Sequence, residues 1–347
     1  MSDFSMLIIA WYEQNGRDLP WRNINDSYKI WVSEVILQQT RVDQGRDYYL
    51  RFISRFPTVG ALADAEEEEV LKHWQGLGYY SRARNLHYAS KQVMTDFKGV
   101  FPTDYDDVMK LKGIGAYTAA AIVSFAHNRP YAVVDGNVYR VLSRYFAIDA
   151  PIDSAKGKKM FFELAQELLD KKQAGIYNQA IMDFGALQCV PSNPDCNGCV
   201  LKDSCLSFGN DEVRKYPVKS KKTKVSNRYF NYLYIVNGEF TYLQKRTKND
   251  IWKNLYEFPL IESSRLYETE DLSRLALFSE TVGVDVLKIS APVKHVLSHQ
   301  CIFTKFYTVA ISDESVLFKD FIKIPILDLD KYPVSRLMEM YLEKTTR

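Results

Sequence analysis

Four of the five cysteines fall within seventeen residues, at Cys189, Cys196, Cys199 and Cys205, in the spacing C-x6-C-x2-C-x5-C. Thiolates at that density suit zinc or an iron–sulfur cluster. Structural zinc usually draws on two close Cys/His pairs, and only Cys196 and Cys199 are so paired; four free thiols are the plain alternative. Two carboxylates stand out for a different reason. Glu34, in Tyr28-Lys29-Ile30-Trp31-Val32-Ser33-Glu34-Val35-Ile36-Leu37, falls at helical spacing on the same face as Ile30, Trp31 and Leu37. A carboxylate on an apolar face is costly unless partnered, and desolvation raises its pKa toward the range a general acid needs. The bland reading is a surface Glu reaching out to solvent or an Arg. Asp135, in Val133-Val134-Asp135-Gly136-Asn137-Val138, precedes an expected helix over 138–145 and by itself reads as a helix-start residue. Twenty residues before it lies Leu111-Lys112-Gly113-Ile114-Gly115-Ala116-Tyr117. Two glycines one residue apart permit a tight turn and close approach of the backbone to a ligand. The unpaired N–H groups of the helix that follows suit a phosphate; a ligand-free helical connection is the alternative.

The elements that must hold these groups change character along the chain. From Asp3 to about Gly209 the pattern is helical almost throughout, with examples at 27–56, 64–74, 86–97, 104–110 and 154–170. Residues 211–228 are polar, Lys-rich and without apolar period, and read as a linker whose charges form a solvated run, with DNA-backbone contact as the alternative. Beyond it, 229–236, 240–246 and 301–311 are rich in Tyr, Phe, Val, Ile and Thr and read as strands, with helices expected near 271–282 and 335–344. An all-α half therefore precedes an α+β half, with neither internal repeats nor low-complexity segments. The 347 residues suffice for two or three cores, and a net charge of +2 leaves nucleic-acid binding to a local basic patch. The N-terminal apolar run is short and lies between Asp3 and Glu13, unlike a secretory signal, and no stretch approaches a membrane span. An intracellular, cytoplasmic protein is expected, in which cysteines serve as metal ligands or free thiols rather than disulfides.

The Gly-x-Gly hairpin followed by Asp135 resembles the signature of the helix–hairpin–helix DNA glycosylases, and the cysteine spacing resembles the 4Fe–4S loop of their endonuclease III and MutY branches. Leu19-Pro20-Trp21-Arg22, 76–86 (Gly76-Leu77-Gly78-Tyr79-Tyr80 onward) and Asn178-Gln179-Ala180 extend the likeness to the MutY-type adenine glycosylases over nearly the whole chain. The resemblance implies an all-α helix–hairpin–helix glycosylase domain with a 4Fe–4S cluster loop, followed by an α+β MutT/Nudix-like domain. It places the glycosylase region at 1–210, with a six-helix barrel at about 22–128 and the N-terminal helix joining about 129–210 as the cluster domain. The linker at 211–228 and a lesion-recognition domain at 229–347 complete the layout. The implied reaction is hydrolysis of the N-glycosidic bond of adenine mispaired with 8-oxoguanine or guanine in double-stranded DNA, by a bacterial monomer.

The resemblance also assigns roles. Glu34 is the implied proton donor to adenine N7, Asp135 stabilises the sugar cation, and Tyr117 and Asn137 support them. Arg22, Gly113, Gly115 and Gln179 are implied to bind DNA or the extruded adenine; Gln39, Thr40, Leu77 and Tyr79 match positions that wedge into the duplex around the 8-oxoguanine. Bifunctional relatives use a Lys after the hairpin to form a Schiff base; here Tyr117 stands there, with Lys110 and Lys112 on the wrong side of the turn, so a monofunctional enzyme is expected. In the C-terminal half a working Nudix hydrolase needs an Arg-Glu and a Glu-Glu pair, and the one plausible slot, 276–284, keeps Glu280 alone. His295-Val296-Leu297-Ser298-His299 resembles the family's Phe-Ser-His loop with Leu297 in place of Phe, keeping Ser298 and His299 as lesion contacts. Two alternatives stand beside this reading. An endonuclease III-like glycosylase for oxidised pyrimidines is opposed by Tyr117 and the extra domain, and a non-catalytic DNA-binding iron–sulfur redox sensor by the retention of both carboxylates.

Overall fold

The computed structural model describes residues 3–220, 225–272, 285–314 and 321–345. In chain order its first helices are α1 (Asp3–Asn15), α2 (Ser27–Leu37), α3 (Val42–Arg55), α4 (Val59–Ala63), α5 (Glu67–Trp74) and α6 (Ser81–Asp96). They are followed by α7 (Tyr105–Met109), α8 (Ala116–His127), α9 (Gly136–Tyr145), α10 (Ala155–Leu168), α11 (Ala174–Leu187) and α12 (Leu206–Gly209). The chain divides into two compact units, Met1–Ala65 with Asn85–Lys221 and Glu66–Arg84 with Lys222–Arg347.

The described residues of the first unit are helical and irregular only. The helical stretch expected over 27–56 is interrupted at 38–41, where Gln39 takes φ +59°, so two helices form in its place. Asp26 caps α2 by accepting the Lys29 N–H at 3.1 Å, and residues 27–28 and 30–36 of that helix are all buried. Its neighbour α8 is rich in Ala and β-branched residues and is buried from Thr118 to Ser124, the small side chains allowing close helix packing. A second apolar cluster ties α1, α9, α10 and α11 together through Ile8, Leu142, Phe161, Ile181 and Phe184. Of the expected linker, residues as far as 220 lie against this unit. Ile152 N–H donates to Val218 O at 3.0 Å, Ser220 is held by Asp153, and Tyr216 is buried.

The second unit is built on a mixed sheet. Its strands are β1 (Ser226–Asn237), β2 (Phe240–Lys245), β3 (Tyr256–Glu257), β4 (Leu260–Ser263), β5 (Asp285–Ile289), β6 (Val293–Val296), β7 (Gln300–Ala310) and β8 (Ile322–Pro325). The path runs β3-β2-β1-β7-β5, with β4 on β1, β6 on β7 and β8 on β2. β1 and β7 pair in parallel from Ser226↔Gln300 to Val236↔Ala310; the other pairings are antiparallel. Alternation along β1 sends Phe230, Tyr232 and Tyr234 to one core and Leu233 and Ile235 to another, so both faces are covered. α13 (Thr269–Leu272) and α14 (Arg336–Thr345) complete the unit, and Tyr341 of α14 stacks on Phe306 of β7 at 4.0 Å. The all-α then α+β order expected from sequence is borne out. The slot 276–284 with Glu280, and the helix expected beyond Leu272, lie outside the described residues.

Candidate active site

The hydroxyl of Tyr117, on the first turn of α8, donates to Glu34 Oε2 at 2.7 Å. Glu34 is 5% exposed on a helix buried on all sides. Burial pushes its carboxyl up to about 7, against the opposing pull of the Tyr117 hydrogen bond and of the nearby Arg22 charge; the Asp135 charge adds to the rise. A carboxyl raised to this range can still carry a proton near neutral pH, which is what general-acid work requires. Burial also raises the Tyr117 phenol well above its ordinary value, so that group stays a donor.

Asp135 is both a cap and a charge. One oxygen accepts the backbone N–H of Asn137 and Val138 at 2.9 and 2.8 Å, opening α9, while Asn137 Nδ2 donates to the other at 2.8 Å. Burial raises its pKa, and these three donors with Arg140 pull it back. The N-terminus of α9 adds positive potential at the same place. Burial raises the pKa of both carboxyls, but their surroundings differ: among the described residues Glu34 has the Tyr117 hydroxyl alone as a hydrogen-bond donor, whereas Asp135 accepts three N–H groups. Asn137 is itself held, accepting from Arg140 Nη2 at 2.8 Å, and Arg140 Nε donates to Cys189 O at 2.7 Å.

Arg22 is buried beside this pair. Its Nη2 donates to Asp183 Oδ1 at 3.1 Å, and its Nη1 is buried without a protein partner. Asp183, with no exposure, also receives Arg17 through its backbone N–H and its guanidinium. Gln179, one turn before Asp183 on α11, accepts from the Tyr12 hydroxyl at 3.1 Å. Asp183, Arg17, Tyr12 and Arg140 went unread in the sequence. For Asp183 the signal was present: an acid four residues after Gln179 on an otherwise apolar helix, the same pattern that singled out Glu34.

At the hairpin, Gly113 has φ +81°, and a Cβ there would stand 2.7 Å from Asn85 Cβ, so only glycine fits. Gly115 has an extended backbone and open space where a side chain would project. Thr40 is half-buried in the turn after α2, whereas Gln39 beside it is exposed. The four cysteines line one cavity with Arg144, whose Nη1 donates to Cys189 Sγ at 3.4 Å. The Leu201 N–H donates to Cys199 Sγ at 3.4 Å, and burial pushes the Cys199 thiol up to about 11. Among the described residues no three His, Cys, Asp or Glu side chains are gathered closely enough to hold a single metal ion.

In the second unit Tyr79, Ser298 and His299 line one cavity together with Leu77, Trp252 and His295. Tyr79 is 47% exposed and at φ +48°, an uncommon backbone for an aromatic residue, and its hydroxyl is hydrogen-bonded to Ser298 Oγ. Leu77 is buried, and Leu297 packs against the sheet core.

The comparisons with known proteins bear on both units. A model described as HhH-GPD superfamily base excision DNA repair protein matches residues 32–171, and one described as NUDIX domain matches 231–344. Adenine DNA glycosylase of Buchnera aphidicola subsp. Schizaphis graminum is 39% identical over 257 residues, covering 74% of each chain. Its counterpart from Buchnera aphidicola subsp. Baizongia pistaciae is 35% identical over 315 residues, 90% of this chain and 88% of its own. A solved thermostable thymine-DNA glycosylase matches with a TM-score of 0.56 at 28% identity, over 60% of this chain and 95% of its own. With the likeness to adenine glycosylases running from the helical unit into the sheet, the chain belongs to the adenine DNA glycosylase family within the HhH-GPD superfamily.

Proposed function

We propose that the chain excises adenine mispaired with 8-oxoguanine, and more slowly with guanine, from duplex DNA in the bacterial cytoplasm. The observation that carries this reading is the pairing of a buried Glu34, held near neutral pKa and bonded by Tyr117, with a donor-ringed Asp135. A base inside a duplex is out of reach, so the nucleotide is extruded into the pocket. Adenine leaves poorly until protonated; Glu34 delivers the proton to N7 as the glycosidic bond breaks, and the Asp135 carboxylate stabilises the oxocarbenium-like sugar. Water then completes hydrolysis. Gln179 and the unpartnered N–H groups of Arg22 face the extruded base. With a phenol at Tyr117 no imine forms, and the enzyme is monofunctional.

Gly113 and Gly115 bring the start of α8 to a phosphate, and Asn137 holds the second oxygen of Asp135. Gln39, Thr40, Leu77 and Tyr79 wedge into the duplex, and Ser298 with His299 reads the lesion base. Cys189, Cys196, Cys199 and Cys205 would hold a 4Fe–4S cluster. Four thiols around one cavity, met by N–H donors at the sulfurs of Cys189 and Cys199, supply the donor set such a cluster takes. When bound, the cluster would supply a rigid cross-link for residues 189–205, and Lys202 within that loop would be available to a phosphate. The test is a glycosylase assay on duplexes with A opposite 8-oxoguanine, G or T. Adenine release with strand breaks only after alkali is expected; efficient borohydride trapping of an enzyme–DNA imine would overturn the monofunctional assignment.

A further inference from the structure

Between α8 and α9 the chain runs from Asn128 to Asp135 without entering a helix or strand. Backbone inside a protein must still find partners for its N–H and C=O groups. Here two side-chain amides supply them. Gln166 of α10 donates Nε2 to Pro130 O at 2.8 Å and accepts the Ala132 N–H on Oε1 at 3.0 Å. Asn178 of α11 donates Nδ2 to Tyr131 O at 2.8 Å and accepts the Val133 N–H on Oδ1 at 3.2 Å. The bonded groups alternate between the two amides from Pro130 to Val133, just after a tight turn in which the Tyr131 N–H donates to Arg129 O at 2.8 Å. Each amide acts as a neighbouring strand would, offering one donor and one acceptor. Asn178 is 1% exposed and spends its remaining N–H on Ser124 Oγ of α8 at 2.9 Å.

Asp135 follows two residues after the last clamped position. The helices that supply and anchor the clamp also carry Tyr117 (α8) and Gln179 (α11). We infer that Gln166 and Asn178 are positioning residues, a two-sided amide clamp that sets where Asp135 stands relative to Glu34 and Tyr117. The inference rests on the base-excision reading above. Neither residue touches the reacting atoms; both act through the backbone that delivers the carboxylate.

Asn178→Asp keeps the acceptor but turns an oxygen toward Tyr131 O and Ser124 Oγ. Gln166→Leu keeps the bulk and removes both bonds at a half-buried position. Single-turnover adenine release, duplex affinity and amide exchange of residues 130–135 are measured for each variant against the full wild-type protein. Misplacing a catalytic group costs up to about a hundredfold in rate, so Asn178→Asp should slow release about a hundredfold and Gln166→Leu about tenfold, with Kd held within about threefold. Exchange at 130–135 should accelerate in both while α2 stays protected. The basic limb of the rate–pH profile should move to lower pH in Gln166→Leu, because a displaced Asp135 no longer raises the Glu34 pKa. Rates within about twofold of wild type despite faster exchange would overturn the inference, as would rate and affinity falling together. A wild-type protein that released no adenine would refute the excision reading instead. Exchange at 130–135 would then decide the clamp alone, and unchanged exchange in both variants would end it.

Discussion

Replacing Glu34 by Gln should do two opposite things, abolishing base release while stabilising the protein above neutral pH. The buried carboxyl titrates near 7 in the folded chain against an ordinary value of 4.5. An acid whose folded pKa is raised holds a proton that the unfolded chain has already given up. Folding is therefore penalised progressively as pH climbs from about 4.5 to about 7, and by a constant amount above that. The gap of 7 − 4.5 pKa units, at 1.36 kcal/mol each, amounts to about 3 kcal/mol. Gln cannot ionise, and its Oε1 still accepts from the Tyr117 hydroxyl, so the variant escapes the penalty without opening a cavity. For a unit of the size of the one that holds Glu34, 1 kcal/mol moves Tm by about 2–4 °C, so the Gln variant should melt several degrees above wild type at about pH 8 and close to it at about pH 4.5. Calorimetric scans at the two pH values, with adenine release measured in parallel, make the check. A Tm difference independent of pH would show that Glu34 is not held protonated by burial.

Tyr117→Phe removes the hydrogen bond that lowers the Glu34 pKa, so the basic limb of the single-turnover rate profile should shift to higher pH; an unmoved limb would argue against that bond. Asp135→Asn should cut base release by at least about a hundredfold with lesion-duplex Kd little changed. Asn caps a helix as well as Asp does, so circular dichroism should report an intact α9 region and attribute the loss to the charge. Cys199→Ser should lower bound iron from about four per chain and bleach the brown absorbance, whereas stoichiometric zinc in the wild type would displace the cluster assignment. Ser298→Ala removes one hydroxyl worth about 0.5–1.5 kcal/mol, so the rate ratio for A opposite 8-oxoguanine over A opposite G should fall several-fold.

The sequence made Glu34 legible as a candidate acid because a charge on an apolar helical face is an anomaly that periodicity exposes. Asp135 was legible only jointly with the hairpin, since a helix cap and a catalytic carboxylate look alike until a second motif breaks the tie; the structure shows one side chain serving as cap and standing beside the acid. The four thiols were legible from spacing. What escaped was pairing at long range. Nothing in Pro130-Tyr131-Ala132-Val133 announces partners on two later helices, because amide side chains are unremarkable on helices and the irregular stretch has no period. The short strands β3, β4, β6 and β8 escaped for a related reason: two to four residues cannot display alternation. The parallel β1–β7 pairing depends on contacts some seventy residues apart, from Ser226↔Gln300 onward.

Residues 66–84 group with the C-terminal unit rather than with the helices around them in sequence. Within that unit Glu67 receives Asn254, Glu68 receives Lys245 and Tyr256, Gln75 meets Glu339, and Tyr80 donates to Val334 O at 3.1 Å. The Nudix half is thus not a detachable cassette joined at one seam. A chimera spliced near residue 225 would carry over the sheet and leave its helical partner behind in the recipient, with carboxylates cut to fit lysine and tyrosine side chains that no longer arrive. Exchanging the Nudix half between relatives requires moving α5 and the turn through Tyr79 with it, and any drift in one of the two segments must be matched by the other.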